Sequence, residues 1–296
     1  MVKMRPAITL FITLAIIVAL LSLVGITFSY LSEARAKAES KAALIESDLI
    51  YADASNAVSK FVGKKPSVGT LKNIYKIPIT VSETKGSFRL LVACSPARAA
   101  IPISWLSQSG GAKREQMYNL ASSVFDEIAL KNNFRDVGRL KGMLSDAITS
   151  KLSISFGKEG RLKRAKNYFG WSDFKSVLDE YYLQVQDDKV YKPNWNYYFS
   201  FGREYEAIDG NFLSSKLIAT IFNIDEQIVE EDFKSGHLRK FVYDNGLDEE
   251  LYNSKLFAKG AVVALTCNAN YSFGKGSYAF KFNYINGKVE GFEFIK

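Results

Sequence analysis

Ala7-Ile-Thr-Leu-Phe-Ile-Thr-Leu-Ala-Ile-Ile-Val-Ala-Leu-Leu-Ser-Leu-Val-Gly-Ile-Thr-Phe-Ser-Tyr-Leu31 lies inside a stretch, Pro6 to Ser32, with no charged residue. At ~1.5 Å of rise per residue it exceeds the ~30 Å hydrocarbon core of a bilayer, so it predicts one membrane-spanning helix over 7–31 behind a tail of residues 1–6. A cleaved secretory signal is the rival reading, because Ala34-Arg-Ala36 and Ala36-Lys-Ala38 have the small residues of a cleavage site. The apolar region of such signals is only about 7–15 residues. Lys3 and Arg5 precede the span, whereas Glu33, Arg35, Lys37, Glu39 and Lys41 mix both signs after it. Positive-inside logic then keeps the N-terminus in the cytoplasm and places the bulk outside. No later segment is long and apolar enough to cross back, and the short tail leaves no room for a cytoplasmic output domain.

The helix signal does not stop at the membrane surface. From Leu31 to Val62 there is neither Pro nor Gly, and Leu31, Ala34, Ala38, Ile45, Leu49 and Ala52 recur at spacings of three, four or seven. Residues 32–62 therefore continue the span as one amphipathic helix, stopped by Gly63 and Pro66. Its apolar stripe suits either a following domain or neighbouring helices, and a plain stalk has the same pattern.

The remaining chain divides by periodicity. Within 63–112, Ile74–Thr80 and Ser87–Cys94 read as strands around a turn, with Pro78 placing the first at an edge. Residues 113–259 read as mainly helical: Arg114–Leu130, Phe134–Ser150 and Leu162–Leu183, broken at Gly138, Gly142 and Ser155–Gly160, then Ser214–Phe222 and Glu226–Lys234. Within 260–296, Gly260–Cys267, Ser277–Ile285 and Lys288–Ile295 read as strands, the last two joined by the hairpin signal Asn286-Gly287. The economical architecture is α+β: the long N-terminal helix on an antiparallel sheet, with a large helical insertion between the sheet strands.

Composition weighs against side-chain catalysis. The chain of 296 residues has one His and two Cys, which makes His-dependent triads and His-rich metal sites hard to assemble and predicts no catalytic residue and no cofactor. His237 sits among basic residues near a helix end and reads as solvated or capping. Gly274-Lys-Gly276 lies between strands and is a turn, not a phosphate loop. Cys94 and Cys267 each end a predicted strand; adjacent strand ends would permit a disulfide, and two separately buried thiols are the alternative.

Two surfaces could meet partners. Lys158, Arg161, Lys163, Arg164 and Lys166 form a basic cluster in a chain of net charge +8, suited to anionic lipid more than nucleic acid, with a solvated helix face as the plain account. Tyr191, Trp195, Tyr197, Tyr198, Phe199, Phe201 and Tyr205 form an aromatic run that reads chiefly as core.

A basic tail, an uncharged span continuing as an Ala-rich amphipathic helix, and a sheet ending the chain resemble type IV pilins and the pseudopilins of type II secretion systems. The helical insertion narrows the resemblance to the large K-type minor pseudopilin. Arg5-Pro6-Ala7-Ile8-Thr9-Leu10 is similar to that family's processing region, and Ile208-Asp-Gly-Asn-Phe-Leu-Ser-Ser-Lys-Leu-Ile-Ala-Thr-Ile221 to its Asn-rich turn before a short helix. The processing position carries Pro6, not Gly, with Ala7 after it, so leader cleavage departs from the pattern. Five residues beyond Pro6 stands Phe11, where most pilins carry a Glu that the K type lacks; the resemblance thus implies a subunit that starts or caps an assembly. It also implies an inner-membrane, single-pass, largely periplasmic protein whose helix packs on other pilin-like subunits. Calcium enters on the same ground: Asp244, Asp248 and Glu249 offer oxygens, although their spacing differs from the twelve-residue calcium loop and a solvated turn is the plainer reading. The competing function is a membrane-anchored binding module for envelope polymer, anionic lipid or DNA.

Overall fold

The computed structural model describes residues 5–63, 66–82, 88–107, 112–154, 169–202, 204–233, 237–247, 252, 255–258, 260–273 and 276–294; the side chains at 5–9, 36, 39–40, 42–49, 88, 152–154, 273, 276 and 290–294 lie outside that description. Helix α1 runs unbroken from Arg5 to Val62 and ends at Gly63, whose φ of 70° is the left-handed value a helix C-terminus requires. Its last turns bury Ile50, Ala54, Val58 and Val62, a spacing of four that lays one face on the sheet. Tyr51 flanks this face and meets Phe280 and Phe282 edge-on at 6.3 and 5.8 Å.

The sequence predicts a strand over Ile74–Thr80; the structure instead folds Val68–Lys76 as helix α2 and leaves only Ile79–Ser82 as strand β1. Local chemistry explains the difference. Ser67 Oγ accepts the Thr70 N–H at 3.1 Å as a helix N-cap, and Leu71 and Ile74, three apart, bury one face. Pro78 forces Ile77 out of the helical region, so the strand begins after it.

Strands β2 (Phe88–Pro96), β5 (Ala264–Phe273), β6 (Gly276–Ile285) and β7 (Lys288–Phe294) join β1 in a five-stranded antiparallel sheet of order β1-β2-β5-β6-β7. β5 starts later and runs further than the predicted Gly260–Cys267, because 260–263 serve as a connector. Alternation puts Leu90, Val92, Cys94, Leu265, Cys267, Ala269, Tyr271, Phe280, Phe282 and Tyr284 on the face under α1 and α2. Both edges are blunted: β1 is four residues long, and β7 carries a bulge between the pairs Phe282↔Phe292 and Asn283↔Glu290, which leaves Gly291 unmatched.

Between β2 and β5 the chain builds the insertion. Helices α3 (Ala112–Lys131), α4 (Val137–Ile154), α5 (Trp171–Val185), α6 (Ser215–Phe222), α7 (Glu226–Asp232) and α8 (Leu238–Asp244) surround a second core, with a two-residue parallel pair of β3 (Ile101–Pro102) and β4 (Phe199–Ser200). Gly138 and Gly142, expected to break the helix, both lie within α4; Leu140, Leu144 and Ile148 at spacing four hold it by tertiary burial. Helix α8 goes unpredicted: seven residues have too little periodicity to register, and it forms because Leu238, Phe241 and Val242 are buried. The two ends of the insertion meet, the Ala97 N–H donating to the Ala264 carbonyl at 2.9 Å.

Candidate functional site

The candidate assembly surface is the first part of α1. Within Leu10–Arg35 the most apolar 18 residues have a mean hydropathy of 2.7 and none of them is buried, and Phe11 and Leu31 are 72% and 63% exposed. Three of its hydroxyls are satisfied within the helix: Thr13, Ser22 and Thr27 donate to the carbonyls of Leu10, Val18 and Leu23. The segment therefore presents hydrocarbon outward and matches the composition of a membrane span. Ala34 and Ala38 are exposed on the continuing helix, where Lys37 pairs with Glu33 at 2.6 Å. The side chains of Pro6, Ala7, Ile45 and Leu49 lie outside the described residues. The described side chains from Leu10 to Lys41 are exposed, whereas Ile50, Ala54, Val58 and Val62 are buried, so one helix has a long exposed part and a short docked end.

Cys94 and Cys267 are directly opposed on β2 and β5 and joined by a disulfide, with Cα atoms 4.0 Å apart. Because Pro96 and Leu265 are the last sheet pair before the insertion, the bridge stands at the insertion's root. Asp244 is not in a turn: it closes α8 and is paired with Lys240 at 2.5 Å, while Asp248 and Glu249 lie outside the described residues. Lys158, Arg161, Lys163, Arg164 and Lys166 also lie outside them. Among the described residues no group of three His, Cys, Asp or Glu side chains converges. The aromatic run divides: Trp195, Phe199 and Tyr205 are buried, whereas Tyr191 and Tyr197 are each 43% exposed. An open groove of about 720 Å³ at the α3–α4 elbow is lined by Asp126, Glu127, Leu130 and Arg135, whose charges are met internally by Lys141, Lys131 and the Gln186 carbonyl.

Sequence periodicity misses the joint between sheet and insertion. Asp209, 2% exposed, accepts the Asn211 N–H and Nδ2 on one oxygen at 3.0 and 2.9 Å, and its own N–H donates to the Arg98 carbonyl at 2.8 Å. Asn211 Nδ2 reaches the Gly260 carbonyl at 3.3 Å, and Phe212 meets Tyr75 of α2 edge-on at 4.8 Å. Gly210 lies so close to Leu238 of α8 that a Cβ there would sit 3.1 Å from Leu238 Cδ2. Burial lifts the Asp209 pKa to about 6 against the lowering effects of Asn211 and Arg98. The Tyr75 hydroxyl is buried without a hydrogen-bond partner and its pKa is raised by burial and by Asp209. The one sequence signal was the segment Ile208–Phe212 itself, singled out as a turn before a helix.

Compared with known proteins, a chain of the crystal structure of the GspK-GspI-GspJ complex from the enterotoxigenic Escherichia coli type 2 secretion system superposes with a TM-score of 0.60. The match covers 89% of this chain and 99% of that one at 11% identity. The likeness is one of fold. No protein-family model and no curated protein matches the sequence. The chain thus has a pseudopilin-like α+β fold.

Proposed function

We propose that the chain is a non-enzymatic, minor pseudopilin-like subunit of a bacterial type II secretion or type IV pilus-like apparatus that caps or initiates a short filament for protein export. The observation that carries this reading is the contrast along α1: its last turns, from Ile50, dock on the sheet, while the described apolar side chains of Leu10–Leu31 are all exposed. Such a helix is suited to lateral packing against the helices of other pilin-like subunits in a membrane. The insertion adds a second core to the sheet unit, and this bulk favours a terminal position because it would hinder a further subunit from stacking above it. The positive N-terminal flank supports a cytoplasmic N-terminus with the sheet and insertion in the periplasm.

A photocrosslinking residue at Phe11 or Ala38 of the full chain in native membranes tests the proposal. Crosslinks to other pilin-like subunits from both positions are expected. Crosslinks to lipid alone from Phe11 and none from Ala38 would favour a monomeric anchored binding module instead.

A further inference from the structure

We propose that residues 208–212 are a proton-operated joint, which seats the helical insertion on the pilin-like sheet when Asp209 is a neutral acid and eases it when Asp209 is a carboxylate. Three parts of the molecule converge on this segment. Phe212 is its contact with α2 of the sheet unit, through Tyr75. Asp209 and Asn211 hold the two connectors, through Arg98 on the way out of β2 and Gly260 on the way back to β5. Gly210 is its contact with α8 of the insertion, where a Cβ would lie 3.1 Å from Leu238 and fit only if that side chain gave way by a few tenths of an ångström. Seating the insertion therefore requires burying Asp209, and any tilt that slides Phe212 off Tyr75 gives its carboxyl group access to water.

The polar surroundings decide which protonation state favours the seated joint. A neutral Asp209 keeps its carbonyl oxygen for both Asn211 donors, whereas a carboxylate would be buried with weak compensation. The charged or titratable groups acting on it are Arg98, from the connector after β2, and Tyr75, from α2. Arg98 is also engaged over the Tyr205 ring, 5.6 Å from its centroid. The close contacts to Gly210, from α8 and the returning connector, come from Leu238 and Phe257, which carry no charge. With the seated carboxyl titrating at about 6 and the hydrated one near the ordinary 3.8, seating is favoured fully below the lower value, weakens as pH rises between the two, and levels off above 6. Between pH 5 and pH 7 the seated-to-eased ratio should fall about tenfold.

Spin labels at exposed Asn270 on the sheet and Leu183 on α5, in the full chain in detergent, read the joint by electron–electron distance distributions. The seated population should decline across pH 5–7 in the wild type and stay constant in Asp209→Asn, whose amide keeps the carbonyl acceptor without the charge. Arg98→Gln removes the cation that favours the carboxylate, so its transition should move to higher pH. It also serves as the test if Asp209→Asn does not fold, since tryptophan emission reports folding independently. A wild-type distribution unchanged over this range, an Asp209→Asn variant that titrates like the wild type, or an Arg98→Gln midpoint that does not move would overturn the proposal.

Discussion

The sheet and the insertion reach stability by different routes. The sheet buries one face against α1 and α2, carries a disulfide, and leaves its other face in solvent with Asn268, Asn270, Ser272 and Lys281. The insertion carries no disulfide among its described residues and instead closes on itself around aromatic rings: Trp195 stacks on Phe125 at 5.3 Å and meets Phe174 edge-on at 5.2 Å. One unit is a thin layer fastened covalently; the other is a three-dimensional core. The difference shows that the sheet unit combines a one-sided core with a covalent fastening, whereas the insertion rests on an aromatic core of its own.

Removing the disulfide should have the largest effect and would break the comparison if it acted equally on both units. Cys94 and Cys267 close a loop with a sequence separation of 173, for which chain entropy predicts a loss of about 5 kcal/mol in the paired Cys→Ser variant where sheet and insertion unfold together, and less where the insertion stays folded and shortens the disordered loop. All three tryptophans, Trp105, Trp171 and Trp195, lie in the insertion, so their emission reports that unit alone. Far-UV circular dichroism should show the sheet melting early while the tryptophan transition stays near its original temperature. A single shared transition would mean that the two cores fold as one.

Phe174→Ala is the converse experiment. Phe174 is fully buried and touches Trp195, Trp171 and Phe201, so truncation should cost about 4 kcal/mol. The loss should fall on the tryptophan transition, leaving hydrogen exchange in β5 and β6 protected. Deprotection of those strands would show that the sheet leans on the insertion.

How much of this was legible in the sequence follows the same division. The length of α1 is written in an uninterrupted run, and the β6–β7 hairpin in Asn286-Gly287, because both signals are local. Helices α2 and α8 were not legible: the first rests on the Ser67 cap and two buried contacts, the second on three residues whose burial depends on chain far away. The joint was hidden for a stronger reason. Tyr75, Arg98, Asp209 and Gly260 come together only because the insertion returns to where it left the sheet, and no periodicity encodes that return.

Within the insertion, Asp173 tests how far local capping assists the core. It accepts the Gly170 N–H at 2.8 Å at the start of α5 and pairs with Lys151 of α4 at 2.6 Å. Burial alone would raise its pKa, but the Lys151 and Gly170 hydrogen bonds and the Lys151 charge outweigh it and hold the carboxyl below its ordinary value. Asp173→Ala should cost about 1–2 kcal/mol at neutral pH. Because the folded pKa is lowered, this contribution is present above the ordinary carboxylate value and disappears as pH falls through the folded one. Urea titrations of both proteins at neutral and acid pH should therefore converge on the acid side; a constant gap would mean that the side chain acts through packing.

The smallest effect belongs to the sheet's turn. Asn286 and Gly287 both have positive φ, 50° and 84°, as the two-residue turn between β6 and β7 demands, and the Asn286 N–H donates to the Val263 carbonyl at 2.8 Å. Asn286→Ala keeps that backbone donor but places a Cβ in the left-handed region, at an expected cost of about 1 kcal/mol, while Asn286→Gly should change stability by less than about half of that. Thermal melting with the disulfide intact reads the pair of variants against each other. If Ala and Gly prove equivalent, the bulge in β7 and the cross-strand pairs Phe282↔Phe292 and Phe280↔Phe294 set the register by themselves, and the turn merely follows. If Ala alone is destabilised, the hairpin is specified locally, and the thin sheet depends on its turn chemistry in a way the insertion's aromatic core does not.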